Sequence, residues 1–166
     1  MAERARVAIF ISGRGSNMAA LIYAAKHEEC PFEVVLVASN DPEARGIALA
    51  RAEGIDTFVQ SHKGHERAAF DEIMEHAARD AGADYVVLAG YMRILSEAFV
   101  SRWKGRMLNI HPSLLPKYPG LDTYARAIEA GDTLSGCTVH LVTGELDGGP
   151  ILGQTEVAIL PDDTPD

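Results

Sequence analysis

The segment LNIHPSLLPKYPGL, residues 108–121, begins as a strand and ends as a proline-rich loop. Alternate side chains of a strand share one face, which places Asn109 and His111 side by side. Pro112 cannot donate a hydrogen bond to a sheet, so the strand ends there and leaves His111 at its tip. The carboxyl end of a strand is where open α/β sheets bind their ligands. The alternative interpretation is a capped strand end with one exposed histidine.

Apolar runs of strand length alternate with helical patterns along the rest of the chain. Residues 6–12, 33–39 and 85–89 are continuous apolar runs, typical of strands buried on both faces of a parallel sheet. Further strands are predicted at 56–60, 107–111, 137–142 and 151–159, and helices at 18–26, 42–53, 65–80, 96–103 and 124–130. This alternation predicts an α/β fold with a doubly wound, mostly parallel sheet and helices on both faces.

A length of 166 residues predicts one domain, residues 1–166. The final residues, LPDDTPD, resemble a helix start, so we expect that a C-terminal helical segment is missing. The formal charge of −9 argues against a general nucleic-acid or anionic-membrane surface, because both require a basic face. The apolar run ending at Ile11 is too short for a signal sequence, and no segment reaches membrane-spanning length. These features predict a cytoplasmic protein.

The first turn, SGRGSN at residues 12–17, has the character of a phosphate-binding turn. Gly13 and Gly15 allow a ligand close to the backbone, and the start of the next helix offers N–H groups. Met18 stands where a dinucleotide fingerprint requires a third small residue, and no GK[ST] follows. We therefore predict a single phosphomonoester, with a purely structural turn as the alternative. Neither the spacing of Cys30 and Cys137 nor any other ligand pattern indicates a metal or a disulfide scaffold.

One of the six histidines has a candidate carboxylate partner. The loop ELDGGP offers Asp147 to His111 if the two strands meet, and the carboxylate would then stabilise the imidazolium form. Asn109 would donate to a developing oxyanion. The alternative is that Asp147 is an ordinary turn aspartate. His140 shares a strand face with Thr138 and is predicted to have a core or supporting role.

The other four histidines, His27, His62, His65 and His76, lie in polar contexts and are predicted to be solvated.

Four motifs, in this order and spacing, carry a resemblance to a known family. They are SGRGSN at 12–17, LAGYMRILS at 88–96, NIHPSLLPKYPGL at 109–121 and VHLVTGELDGGPIL at 139–152. With them the chain resembles the phosphoribosylglycinamide (glycinamide ribonucleotide) formyltransferase family of purine biosynthesis over essentially its whole length. The resemblance implies a Rossmann-like formyltransferase fold. It also implies formyl transfer from 10-formyltetrahydrofolate, as co-substrate, to the amine of glycinamide ribonucleotide, without a metal.

The resemblance also implies a role for individual residues. The catalytic group is Asn109, His111 and Asp147, in agreement with the reasoning from the residues. The residues that it implies for holding the substrate phosphate are Gly15, Ser16 and Asn17. The residues that it implies for contacting the folate are Arg67, Met92, Arg93, Ile94, Leu95 and Asn109. Family members often carry GLHTH where this chain has GLDTY at residues 120–124.

Several alternatives remain open at this stage. A methionyl-tRNA formyltransferase-like enzyme would need a tRNA-binding C-terminal domain, and a formyltetrahydrofolate hydrolase-like enzyme would need an N-terminal regulatory domain. A non-catalytic folate- or nucleotide-binding module would not require Asn109, His111 and Asp147 together. The expected partners are small-molecule substrates rather than nucleic acid or a membrane, with a homodimer as one alternative for the oligomeric state.

Overall fold

A computed structural model describes residues 3–166, which form two compact units. The first unit ends at Met107, and the second spans Leu108–Asp166. The elements of the first unit are β1 (Ala5–Ile11), α1 (Ser16–Ala25), β2 (Phe32–Ser39), α2 (Gly46–Ala52), β3 (Thr57–Val59), α3 (Arg67–Asp80), β4 (Tyr85–Leu88) and α4 (Glu97–Arg102). Those that follow are β5 (Met107–His111), α5 (Thr123–Glu129), β6 (Leu134–Leu141) and β7 (Ile151–Ala158).

The strands of the first unit are parallel, as the apolar runs predict. They are arranged in the order β3-β2-β1-β4. In β1, residues 7–11 are all buried, which is the pattern of a strand covered on both faces. The carboxyl ends of β1, β2, β3 and β4 therefore lie along one edge, where the first turn and the loop after β4 begin.

The second unit differs from a purely parallel arrangement. β5 pairs antiparallel with β6, and β6 pairs antiparallel with β7. The register places Asn109 opposite His140 and His111 opposite Thr138. Because directly opposite residues share a face, the side chains of these four residues project on the same side of the strands.

The predicted start of α2 at Pro42 is wrong, because the helix begins at Gly46. A side-chain turn occupies the intervening residues: the Asp41 carboxylate accepts from the Glu43 N–H at 2.9 Å, and the Asp41 carbonyl accepts from the Ala44 N–H at 3.1 Å. Such aspartate turns compete with helix formation. The Gly46 N–H donates instead to the Gly13 carbonyl of the first turn at 3.0 Å.

Helix α3 buries both apolar side chains and two carboxylates. Phe70 and Met74 are fully buried, whereas Ile73 is half-buried. Asp71 and Glu75 are also buried, which the apolar periodicity of the helix does not predict. Both carboxylates have hydrogen-bond donors, as buried charges require.

Within residues 3–166, no helix combines the length and the apolar character needed to cross a membrane.

Candidate active site

The second unit contains a polar cluster formed by Asn109, His111, His140 and Asp147. Asn109 and His140 face each other across β5 and β6, with 3.2 Å between Asn109 Nδ2 and His140 Nε2. His140 Nδ1 lies 3.0 Å from the Leu141 carbonyl, which can only accept, so Nδ1 carries the proton. Nε2 is then the acceptor for the Asn109 amide. The burial of His140 and its two hydrogen bonds agree with the predicted core or supporting role, and its Nε2 orients the Asn109 amide.

Asp147 joins the cluster from the loop between β6 and β7. One carboxylate oxygen lies 3.4 Å from His111 Nδ1 and 3.7 Å from His140 Nε2. The other oxygen accepts from the Gly120 N–H at 2.9 Å. The side chains of Asp147 and His111 are each 6% exposed. The predicted proximity of His111 and Asp147 is thus confirmed, in surroundings that shield the pair from water.

The imidazole of His111 has an oxygen atom beside each ring nitrogen. Nε2 donates to the Tyr118 carbonyl at 2.8 Å, while Nδ1 faces the Asp147 carboxylate. Two acceptors match the two N–H groups of an imidazolium ion. A substrate that exchanges a proton with Nε2 must therefore replace the Tyr118 carbonyl.

Thr138 holds the loop that carries this carbonyl. Its buried hydroxyl donates to the Ser113 carbonyl at 2.7 Å and accepts from the Leu115 N–H at 3.1 Å. Gln154 adds a bond from its amide to the Leu115 carbonyl at 2.9 Å. Further along the loop, the Ser113 hydroxyl donates to the Lys117 carbonyl at 2.6 Å. These bonds fix the segment between the end of β5 and Tyr118.

Gly149 packs against the backbone of β6 two residues after Asp147, and replacing Gly149 with alanine is expected to destabilise the protein by about 1–3 kcal/mol or more. A Cβ at this position would lie 1.7 Å from the Leu141 carbonyl oxygen, which belongs to the backbone of β6. The loop would have to move and take Asp147 with it. Denaturant unfolding of the wild type and of Gly149→Ala measures the loss of unfolding free energy.

Gly144 offers the matched control in the same loop, because a Cβ there meets no heavy atom within 4 Å. Gly144→Ala should change the free energy of unfolding by less than about 0.5 kcal/mol. Equal stability of the two variants would show that the close approach of Gly149 to β6 does not hold the loop.

In the first unit, the predicted phosphate residues form the start of α1. Gly15 precedes the helix with a φ of 72°, a conformation that favours glycine. The first helical bond runs from the Ala19 N–H to the Gly15 carbonyl, so the N–H groups of Ser16 and Asn17 have no partner within the helix. Ser16 and Asn17 are exposed. This geometry suits an anion, and their role in phosphate binding stays a prediction.

The predicted folate residues after β4 form an exposed loop. Met92 and Ile94 are 64% and 63% exposed, whereas Arg93 and Leu95 are half-buried. Exposed apolar side chains of this kind fit a flat aromatic ring. The Met92 N–H donates to the Ser12 hydroxyl at 2.8 Å, so Met92 would offer a ligand its side chain and carbonyl rather than its N–H.

Arg67 is the first residue of α3, and its side chain is exposed. Within residues 3–166, no hydrogen bond joins it to the loop 92–95. Its predicted contact with the folate tail stays a prediction.

The fold and the polar cluster together define a class: an α/β protein with a histidine–carboxylate pair at the end of a strand, an arrangement suited to acid–base chemistry. The family described as "Formyl transferase" matches residues 5–166. The protein belongs to the formyl transferase family, since this match covers nearly the whole chain.

Relatives and solved structures support the same assignment. Phosphoribosylglycinamide formyltransferase of Escherichia coli (strain K12) is 47% identical over 161 residues, which are 96% of this chain and 76% of the relative. The trifunctional purine biosynthetic protein adenosine-3 of Drosophila melanogaster is 48% identical over 167 residues, and the match spans 99% of this chain but only 12% of that relative.

The crystal structure of phosphoribosylglycinamide formyltransferase from Brucella melitensis is 51% identical, with a TM-score of 0.92 over 98% of this chain and 84% of that chain. Glycinamide ribonucleotide transformylase 1 from Symbiobacterium toebii has a TM-score of 0.93 at 38% identity, over 98% of this chain and 77% of that chain. These likenesses confirm the predicted α/β, mostly parallel Rossmann-like fold and the predicted family.

Proposed function

We propose that the protein transfers the formyl group of 10-formyltetrahydrofolate to the amine of glycinamide ribonucleotide, as a cytoplasmic enzyme of purine biosynthesis. The observation that carries the proposal is the buried pair of His111 and Asp147, with the Asn109 amide on the same strand face. A binding module does not need a shielded acid–base pair. The family membership of the chain and the names of its relatives support the choice of reaction.

In the proposed reaction the substrate amine attacks the formyl carbon, and the formyl oxygen becomes an oxyanion. The Asn109 amide and the imidazolium of His111 donate to this oxyanion. Loss of one such donor typically lowers kcat by about 10²–10³-fold. His140 keeps Asn109 oriented, because its Nε2 accepts from the Asn109 amide.

Collapse of the intermediate breaks the bond between the formyl carbon and the folate nitrogen. One proton leaves the attacking amine and one reaches the departing nitrogen, so the net change is a proton transfer between the two nitrogens. His111 carries this proton, directly or through water, after its Nε2 releases the Tyr118 carbonyl. Asp147 stabilises the charged imidazole throughout.

Apart from Asn109, the proposed binding residues belong to the first unit. Gly15, Ser16 and Asn17 hold the phosphate of the ribonucleotide at the start of α1. The loop that contains Met92 and Ile94 contacts the folate through its exposed apolar side chains. Holding the two substrates close together and correctly oriented supplies most of the remaining rate enhancement.

Replacing Ser16 with aspartate tests the proposed phosphate site. A carboxylate at the start of α1 repels a phosphate dianion, and about 1.4 kcal/mol of repulsion is enough for a tenfold loss of affinity. We expect the KM for glycinamide ribonucleotide to rise about tenfold or more while the KM for 10-formyltetrahydrofolate stays within about twofold. Steady-state formyl-transfer kinetics measure both constants.

Ser101→Asp is the matched control, because Ser101 is an exposed serine on α4 and belongs to neither proposed binding segment. It should leave both constants unchanged. A wild-type KM for glycinamide ribonucleotide in the Ser16→Asp variant would contradict the assignment of the phosphate to α1.

A further inference from the structure

The Ser12 hydroxyl joins the first turn to the loop after β4. It accepts a hydrogen bond from the Met92 N–H at 2.8 Å and lies 2.5 Å from Asn40 Oδ1, to which it donates. Ser12 is the first residue of the turn that contains the proposed phosphate residues, and Met92 is the first residue of the loop proposed to contact the folate. The Ser12 side chain, which belongs to the first turn, is thus hydrogen-bonded to the backbone of the loop after β4.

Asn40 fixes the direction of the Ser12 hydroxyl. This residue follows β2 and is 4% exposed. Its Oδ1 faces Ser12, and its Nδ2 lies 3.1 Å from His62 Nδ1. Because both ends of the amide are occupied, the Ser12 proton points to Asn40 and an oxygen lone pair is left for Met92. The Ser12 hydroxyl therefore donates to Asn40 and accepts from Met92.

The loop is also anchored at its far end and along its length. The Ser96 N–H donates to the buried Asp71 carboxylate at 2.6 Å. The guanidinium of Arg93 lies over the Phe70 ring at 5.8 Å. Neither anchor involves the first turn, and among the hydrogen bonds of residues 3–166 it is the bond between Ser12 and Met92 that joins the two binding segments.

We propose that Ser12 is a positioning residue that couples the binding of the two substrates. A ligand on the first turn restricts the remaining motion of the turn and, through the Ser12 hydroxyl, that of the Met92 backbone, so a second ligand on the loop has less motion left to lose. Coupling of this kind is reciprocal: each ligand raises the affinity of the other by the same factor. The inference rests on the proposed function for the identity of the two ligands.

Titration calorimetry tests the coupling without catalysis. The affinity for glycinamide ribonucleotide is measured with and without saturating tetrahydrofolate, which has no formyl group to transfer. The wild-type chain is expected to bind the ribonucleotide about fivefold or more tightly when the folate is present. In Ser12→Ala the ratio of the two affinities should fall to about one, and Ser12→Thr, which keeps a hydroxyl, should restore most of it.

Ser61→Ala is the matched control at the same edge of the sheet, because the Ser61 hydroxyl accepts from the Lys63 N–H at 3.2 Å and contacts neither binding segment. It should keep the wild-type ratio. The coupling would be overturned if tetrahydrofolate did not change the affinity of the wild-type chain for glycinamide ribonucleotide, or if it raised the affinity of Ser12→Ala as much as that of the wild type. Either result would leave the proposed function intact. Failure of the wild-type chain to bind either ligand would overturn both.

Discussion

Replacing His111 with alanine is expected to lower kcat for formyl transfer by about 10²–10⁴-fold, the usual contribution of a positioned acid–base group. The imidazole is buried beside Asp147, and its loss removes both the proton carrier and one donor to the oxyanion. The dissociation constants of the two substrates should change by less than about threefold, because His111 is not among the proposed binding residues. Single-turnover kinetics and equilibrium titrations separate the two effects.

His76→Ala supplies the control for this prediction. The His76 side chain is 78% exposed on α3 and pairs with Asp80 one helical turn later at 3.2 Å, so its loss should leave kcat unchanged. A kcat within about threefold of wild type in His111→Ala would show that the polar cluster is structural rather than catalytic.

Replacing Glu75 with glutamine is expected to lower the free energy of unfolding by about 3 kcal/mol at pH 7. Three side chains donate to the buried carboxylate, with shortest distances of 2.6 Å from Arg102, 2.7 Å from Trp103 and 2.9 Å from Arg79. Burial alone would raise the pKa of Glu75, but these hydrogen bonds outweigh it and lower the pKa from 4.5 to about 2. Denaturant unfolding of both proteins measures the difference.

The same pKa shift predicts how the difference depends on pH. The unfolded chain binds a proton near pH 4.5, whereas the folded chain holds the carboxylate ionised down to about pH 2. The stabilisation by Glu75 is therefore complete above pH 4.5 and is lost as the pH falls toward 2. The stability difference between wild type and Glu75→Gln should shrink by roughly half between pH 7 and pH 3.

Glu72→Gln is the control for this pair of measurements, since Glu72 is exposed on the same helix. Its effect should stay below about 0.5 kcal/mol at both pH values. A difference between wild type and Glu75→Gln that does not depend on pH would mean that the charge of Glu75 contributes nothing, and that only its shape and hydrogen bonds matter.

The strand end at His111 was predictable because local chemistry dictates it. Pro112 cannot continue a sheet, and the period of two along a strand places Asn109 beside His111. Buried apolar runs such as residues 7–11 likewise predict the parallel strands of the first unit. The pairing of His111 with Asp147 was predictable only as a hypothesis, because it requires two segments that are distant in the sequence to lie side by side in the fold.

Other features depend on contacts that no local pattern contains. The Tyr118 carbonyl and the Gly120 N–H are backbone groups, which every residue offers, so the sequence does not single them out. The bond between Ser12 and Met92 joins residues 80 positions apart. The side-chain turn at Asp41 delays α2 even though Pro42 is a common helix start, because the aspartate satisfies the nearby N–H groups first.

The most direct test of the proposed function is the appearance of formylated glycinamide ribonucleotide when the 166-residue chain is incubated with both substrates. The expected result is product formation that requires the ribonucleotide and 10-formyltetrahydrofolate together, with no formate released when the ribonucleotide is omitted. Formate release that does not depend on the amine, or the absence of product from a chain that binds both substrates, would contradict formyl transfer as the function.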